Sequence, residues 1–348
     1  MLTITDTRPA TIGEWESAWR ACGYATPFHS PAWAVAVAAG QKGLYAPEPL
    51  HVSFSDGLEA VVPFSRQRLV RGLGSQLVSS PLGTYGGWLA SPDAGDGHRR
   101  LLCGLLLSSP ALWWRLNPYD EQIPTEGLPI FDHEETQIIT ISGDFDSYAG
   151  SLRHERRVAA RKAEKRGVTI RSAASPDDWS EYYRVYLDSL RRWGSPRGAG
   201  YSARLLDELR LASDLRAELW LAEWEGRIIA GDISFSTATT MVLWHGAALE
   251  ECLPLRGTVL LTREVIRVAF SRELQWFDFN PSGHLEGVRR FKAQFGAGYV
   301  PAPVVWRRSF VVKTAAGGRG WARRLRRALS GRPGKAADRP GDRTKNSG

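Results

Sequence analysis

Residues Trp276–Tyr299 read WFDFNPSGHLEGVRRFKAQFGAGY. An apolar run with one acid in it predicts a short buried strand over Gln275–Phe279. Asn280-Pro281-Ser282-Gly283 breaks that strand into a loop, since each of these residues favours turn conformations. Gly287–Phe295 then reads as a short helix. In open α/β sheets, ligands gather at strand C-termini, which is where Asp278 stands. Arg289, Arg290 and Lys292 cluster beside Phe291 and Phe295. A lysine in that setting can stabilise an oxyanion or hold a phosphate. The plain alternative makes Arg289 and Lys292 solvated helix residues and Asp278 a loop cap.

Upstream, Thr240–Ala247 reads as a strand, Leu255-Arg256-Gly257-Thr258 as a turn, and Thr258–Phe270 as an amphipathic helix. A strand that turns into a helix N-terminus makes an anion site, because the first amides are unpaired and the helix dipole attracts negative charge. Arg256 adds a charge-assisted contact. An Arg-Gly pair before a helix is also an ordinary turn.

Two hairpins stand out. Leu50–Phe54 and Leu58–Phe64 flank Asp56-Gly57, while Leu219–Trp224 and Arg227–Phe235 flank Glu225-Gly226. The turns are 169 residues apart and their strands share a pattern, which points to an internal duplication. Helices are expected over Thr11–Cys22, from Ser30-Pro31 onward, over Ser180–Trp193 and around Ala203–Leu211. Ser79–Gly87 is a glycine-rich loop. Ser151–Arg166 (SLRHERRVAARKAEKR) is rich in helix formers, and steps of four put Arg153, Arg157, Arg161 and Lys165 in one stripe. That stripe is either a phosphate contact or a solvated face, with Glu155 and Glu164 nearby.

Composition narrows the function class. The chain has 348 residues, enough for two ordinary domains, and is 43% hydrophobic and 24% charged. Its net charge is +8, but from Arg307 onward thirteen Lys/Arg face two Asp/Glu, a net of +11, so about −3 remains for residues 1–306. The basic character belongs to the tail, which argues against a body coated in nucleic-acid contacts. Within the tail, Trp321, Leu325 and Leu329 share a face amid arginines and read as a short basic amphipathic helix. That helix would touch anionic lipid, RNA or nothing. Cys22, Cys103 and Cys252 form no disulfide or zinc pattern, and the N-terminus has neither the basic nor the apolar region of a signal peptide. Leu101–Trp114 is too short and broken to span a bilayer. The expected setting is the cytoplasm, with the tail offering contact to the inner face of a membrane. No metal is expected, because the seven histidines lack ligand spacing, and no GxSxG, Walker or Cys–His pattern occurs.

Several motifs in order resemble the FemAB-like, tandem-GNAT N-acyltransferases over about Phe28 to Pro301. They are Phe28-His29-Ser30-Pro31-x-Trp33, Pro81-x-Gly83-x-Tyr85-Gly86-Gly87 and Arg156-Arg157-x-x-x-Arg161-Lys162-Ala163-x-x-x-Gly167-Val168. Arg191-Arg192-Trp193-Gly194-Ser195-Pro196 follows, then Phe277-Asp278-Phe279 with Phe291-Lys292-x-x-Phe295-Gly296. The resemblance implies an α/β (α+β) chain of two tandem GNAT-like domains, each a twisted mixed sheet flanked by helices, over 1–140 and 141–312. A basic, largely disordered tail over 313–348 completes it. It implies transfer of an acyl or aminoacyl group from acyl-CoA or aminoacyl-tRNA, with no permanently bound cofactor. The acceptor is an amine of a cell-envelope, polysaccharide or peptide precursor, nucleotide- or lipid-linked. Lys292 is the implied catalytic residue, with Asp278 orienting the amine or taking its proton. Arg256, Gly257, Thr258, Phe291 and Arg290 are expected on the donor, and Tyr85, Gly86, Trp33, Arg157 and Arg161 on the acceptor. The Arg-x-Trp-Gly-Ser-Pro element resembles the exopolysaccharide branch, whose members follow Phe-Asp-Phe with Gly and Arg. Here Asn280 and Pro281 stand in those places. The competing reading is a non-catalytic RNA- or membrane-surface-binding protein on a degenerate GNAT scaffold.

Overall fold

A computed structural model describes residues 1–69, 74–194 and 200–308. The tail, and Ser195-Pro196 of the Trp-Gly-Ser-Pro element, lie outside the described residues.

The first half runs β1 (Ile4–Pro9), α1 (Ile12–Ala21), α2 (Pro31–Gly40), β2 (Tyr45–Pro47), β3 (Leu50–Phe54), β4 (Glu59–Val62), β5 (Ser65–Arg68), β6 (Ser75–Val78), β7 (Leu89–Ala90), α3 (Asp96–Ser108) and β8 (Leu112–Arg115). Linking elements follow: β9 (Ile130–Asp132), β10 (Glu135–Thr140), α4 (Phe145–Ser151) and α5 (His154–Lys165). The second half runs β11 (Thr169–Ser172), α6 (Pro176–Arg192), α7 (Ala203–Leu211), β12 (Glu218–Trp224), β13 (Arg227–Ser236), β14 (Thr240–Ala248), α8 (Gly257–Ser271), β15 (Trp276–Asp278), α9 (Glu286–Ala293), β16 (Gly298–Pro301) and β17 (Val304–Arg307).

Local chemistry accounts for most boundaries. Thr11 caps α1 in a reciprocal box with Glu14, and Ser30 caps α2 by accepting from the Trp33 amide at 3.1 Å. The β12–β13 turn puts Glu225 and Gly226 at φ of 51° and 73°, the two left-handed positions of a tight hairpin. One expected helix is split. Ser151–Arg166 breaks at Leu152–Arg153, where Leu152 is buried in the core and Arg153 precedes the first turn of α5.

The order β1-α1-α2-β3-β4-β7-α3-β8 parallels β11-α6-α7-β12-β13-β14-α8-β15, so the two similar hairpins are corresponding parts of a repeated α/β unit. Three sheets result: an antiparallel one ordered β1-β3-β4-β7, and two mixed ones ordered β2-β5-β6-β8-β17-β9 and β11-β12-β13-β14-β15-β10-β16. Two strands cross a division at residue 140. β10 lies between β15 and β16 in the second half's sheet, and β17 pairs with β8 and β9 beside the first half's strands. The halves also share one aromatic core. Trp33 meets Phe235 and Trp244 edge-on, each at 5.5 Å between ring centroids.

α2 and α7 pack so closely that a Cβ on Gly40 would come within 2.5 Å of the Leu205 backbone. Gly104, exposed within α3, has open space around it. Gly40→Ala is expected to lose about 1–3 kcal/mol from overpacking. Gly104→Ala should gain up to about 1 kcal/mol of helix propensity. Chemical denaturation of the two variants measures both.

Candidate active site

β14 and β15 run parallel, yet they pair only over Thr240–Val242 and Trp276–Asp278. Beyond Val242, β14 continues to Ala248 with β13 alone beside it, bulged where Ile233 faces His245 and Ser234 faces Leu243. The chain after Asp278 leaves the sheet through Asn280, whose φ is 61°. The sheet therefore splits at Asp278, and one edge of residues 243–248 has no strand partner among the described residues. An open edge of this kind can pair with an extended ligand arm.

Asp278 sits at the fork with no solvent exposure. Thr136 Oγ1 donates to it at 2.6 Å, the Asn280 amide at 2.8 Å and Tyr119 Oη at 3.0 Å, and Tyr85 Oη donates as well. Burial raises its proton affinity, and the donors oppose that shift by favouring the anion. Tyr85 and Tyr119 come from the first half, Thr136 from β10. Burial, with the Asp278 charge beside them, pushes both phenols well above the ordinary tyrosine value.

Lys292, on α9, is 7% exposed and donates to the Asn280 carbonyl at 2.6 Å. Burial lowers its pKa from the ordinary 10.5 to about 7, against the opposing pull of Asp278 and Glu134. Glu134 is also buried; Arg115 donates to it at 2.7 Å and the Gly283 amide at 2.8 Å. Asp132, Glu134 and His284 bring their ligand atoms within 4.8 Å of one another. A cation there would compete with Arg115 for Glu134.

The donor-side residues lie at the head of α8 and on α9. Arg256 is the left-handed residue preceding α8, Gly257 is its first residue and Thr258 its second. Phe291 is half-buried, with the Arg156 guanidinium 5.0 Å from its ring centroid. Arg290 is exposed and 3.9 Å from Glu286.

The acceptor-side residues do not share one groove. Trp33 and Tyr85 have no exposed surface and line no groove: Trp33 packs against the second half, and Tyr85 is bound to Asp278. Gly86 is needed for internal packing, because a Cβ there would fall 2.1 Å from the Ser79 carbonyl oxygen. Arg157 and Arg161 border a pocket beside Val259 and Arg263 of α8, away from that loop. Asp278 touches no open space. Tyr119, Thr136, Glu134 and Arg115 were not found by sequence reasoning, since no motif joins residues so far apart in the chain. His245 was missed as well. It lies on the unpaired stretch of β14 with Nδ1 2.6 Å from Tyr182 Oη, and burial lowers its pKa to about 4.

Among the described residues no helix is long and apolar enough to cross a membrane. No curated protein matches the sequence. Residues 150–293 match the family model described as the acetyltransferase (GNAT) domain. Similar solved structures include FemX, at TM-score 0.66 and 12% identity, covering 87% of this chain and 97% of that one. L-PGS from Bacillus licheniformis follows at TM-score 0.51 and 15% identity, covering 79% and 87%. The C-terminal domain of a putative lysylphosphatidylglycerol synthetase from Agrobacterium fabrum has TM-score 0.51 and 11% identity, covering 74% and 83%. Identities this low speak to fold alone. Residues 150–293 thus resemble the acetyltransferase (GNAT) domain, and the chain as a whole shares the fold of FemX.

Proposed function

We propose that this protein transfers an acyl or aminoacyl group from acyl-CoA or aminoacyl-tRNA to the amine of a cell-envelope, polysaccharide or peptide precursor. The observation that carries the reading is Lys292, a nearly buried amine of lowered pKa at the point where β15 leaves β14. The donor's extended arm lies along the open edge of residues 243–248, with its carbonyl near the fork. The acceptor amine attacks that carbonyl, and the protonated Lys292 amine stabilises the developing oxyanion. Its proton passes to the departing thiolate or ribose oxygen, and the lysine, then neutral, takes up the proton that the acceptor nitrogen loses as the amide forms. Asp278 is a positioning residue. It orients the Asn280 backbone that holds the lysine, and its negative charge keeps the lysine more basic than burial alone would leave it. The carbonyl chemistry needs orientation more than a cofactor.

Lys292→Met is expected to lower kcat/KM for transfer about 100-fold or more, the usual loss on removing one oxyanion donor. Activity within a few-fold of wild type, in a folded variant and with either acyl donor, would remove Lys292 from the reaction.

The lowered pKa also predicts a stability profile. Between pH of about 7 and 10.5 the unfolded chain holds a proton on Lys292 that the folded chain does not. Unfolding takes up that proton, so stability rises with pH across this window. Lys292→Met should flatten the rise, which urea titrations at pH 6.5, 8 and 9.5 measure.

A further inference from the structure

Asp232, on β13, is a carboxylate that the catalytic reading leaves unused. It is 8% exposed, and its one hydrogen bond among the described residues comes from Thr262 Oγ1 of α8, at 3.3 Å. No lysine, arginine or histidine there forms an ion pair with it. Burial raises its pKa to about 7, with Thr262 opposing the shift. Buried acids are normally paired or bonded several times over, so a group this bare points to a partner that arrives from outside. The way in lies across β14. Asp232 stands directly opposite Gly246, and a Cβ on Gly246 would collide with Asp232 Oδ1. Gly246 is itself exposed, on the stretch of β14 whose outer edge has no strand partner among the described residues. The missing side chain leaves the carboxyl lying over that edge, on the face that α8 covers.

The edge offers main-chain groups at the same place. The Ala248 amide donates to Ser189 Oγ at 3.1 Å, and its carbonyl accepts from that hydroxyl at 2.9 Å, so Ala248 turns its main chain away from β13. In an antiparallel pair this outward turn recurs every second residue, which puts the Gly246 amide and carbonyl on the open edge too. The opposite face of β14 is filled by rings: His245 lies 4.6 Å from Tyr186 and 5.4 Å from Tyr201, between centroids. An N–H, a C=O and a carboxyl within one residue's span fit an amide with a hydroxyl beside it. A carboxyl with both protonation states populated near neutral pH pairs with such neutral groups in either state. Position narrows the ligand further. Gly246 is three residues past Leu243, where the edge opens, or about 10 Å along the strand. In an extended pantetheine thioester the second amide, with the hydroxyl next to it, stands about 10 Å from the thioester carbonyl. At a tRNA 3′ end the free ribose hydroxyl adjoins the ester, too near the fork to meet Asp232.

We infer that Asp232 is a specificity residue for the donor, reading the second amide and the hydroxyl of a pantetheine arm laid along Gly246. The inference rests on the acyl-transfer reading and narrows its donor to a pantetheine thioester, free as CoA or carried on a protein.

Equilibrium binding of short probes to the full chain tests this. Wild type is expected to bind pantetheine about tenfold more tightly than N-acetylcysteamine, which keeps the first amide and lacks the second amide and the hydroxyl. Asp232→Ala should bring the two affinities within about twofold of each other. Gly246→Ala is the second variant: it keeps the carboxyl but fills the gap, and it should erase the preference as well. A purely structural role for Asp232 would lower Tm or weaken both probes alike, without changing their ratio. CoA binding more tightly than a holo acyl carrier protein assigns the arm to a free donor, and the reverse order assigns it to a carried one. Equal affinities or no binding of the two short probes by wild type, or a ratio in both variants within about twofold of wild type, overturns the inference. Binding is read independently of turnover. If Lys292→Met keeps full transfer while these variants lose the pantetheine preference, the catalytic reading falls and the donor assignment stands.

Discussion

The Asp278 carboxylate is sealed from water and surrounded by donors that come from distant parts of the chain. Tyr85 and Tyr119 reach it from the first half, Thr136 from β10, and the Asn280 amide from just beyond its own strand. A buried carboxylate without such partners costs several kcal/mol, so the arrangement holds only when both halves are in place. What it fixes is the exit of the chain from β15. The Asn280 amide binds the carboxylate while the Asn280 carbonyl receives Lys292, so one peptide segment passes the geometry from the acid to the amine.

This dependence explains why the two halves are so interlocked. β10 carries Thr136 into the second sheet, and β17 returns the chain to the first half's strands. The Trp33, Phe235 and Trp244 contacts join the cores on the other side. In the second unit the split between β14 and β15 stays open, α8 packs against β15, and α5 packs against α8. The first unit contributes buried tyrosines rather than an open cleft.

The buried Lys292 amine and the half-buried Arg156 guanidinium carry opposite kinds of compensation. Lys292 is near Asp278 and Glu134, and burial lowers its pKa to about 7, so both protonation states are accessible near neutral pH. Arg156 cannot lose its proton so readily, and it rests on aromatic faces with Arg256 as its charged neighbour. The first arrangement suits a group that exchanges a proton during reaction, the second a group that keeps its charge for an anion.

Much of the fold was legible in the chain because it rests on local chemistry. Caps at Thr11 and Ser30, the Glu225-Gly226 turn and the apolar run around Phe277 act over a few residues, and so the strand and helix order and the repeated hairpin could be read directly. The motif around Phe291-Lys292 also marked the segment that carries the buried Lys292. Tertiary structure alone decided what the marked residues touch. Tyr85 sits in a glycine-rich loop that reads as a ligand groove, yet it closes on an acid 193 positions away. Arg157 and Arg161 share a helical stripe with Arg153 and Lys165, and only packing against α8 separates the pocket from the solvated face. Periodicity reports which side of an element is apolar. Burial, pKa and counter-charge depend on neighbours that sequence distance does not reveal.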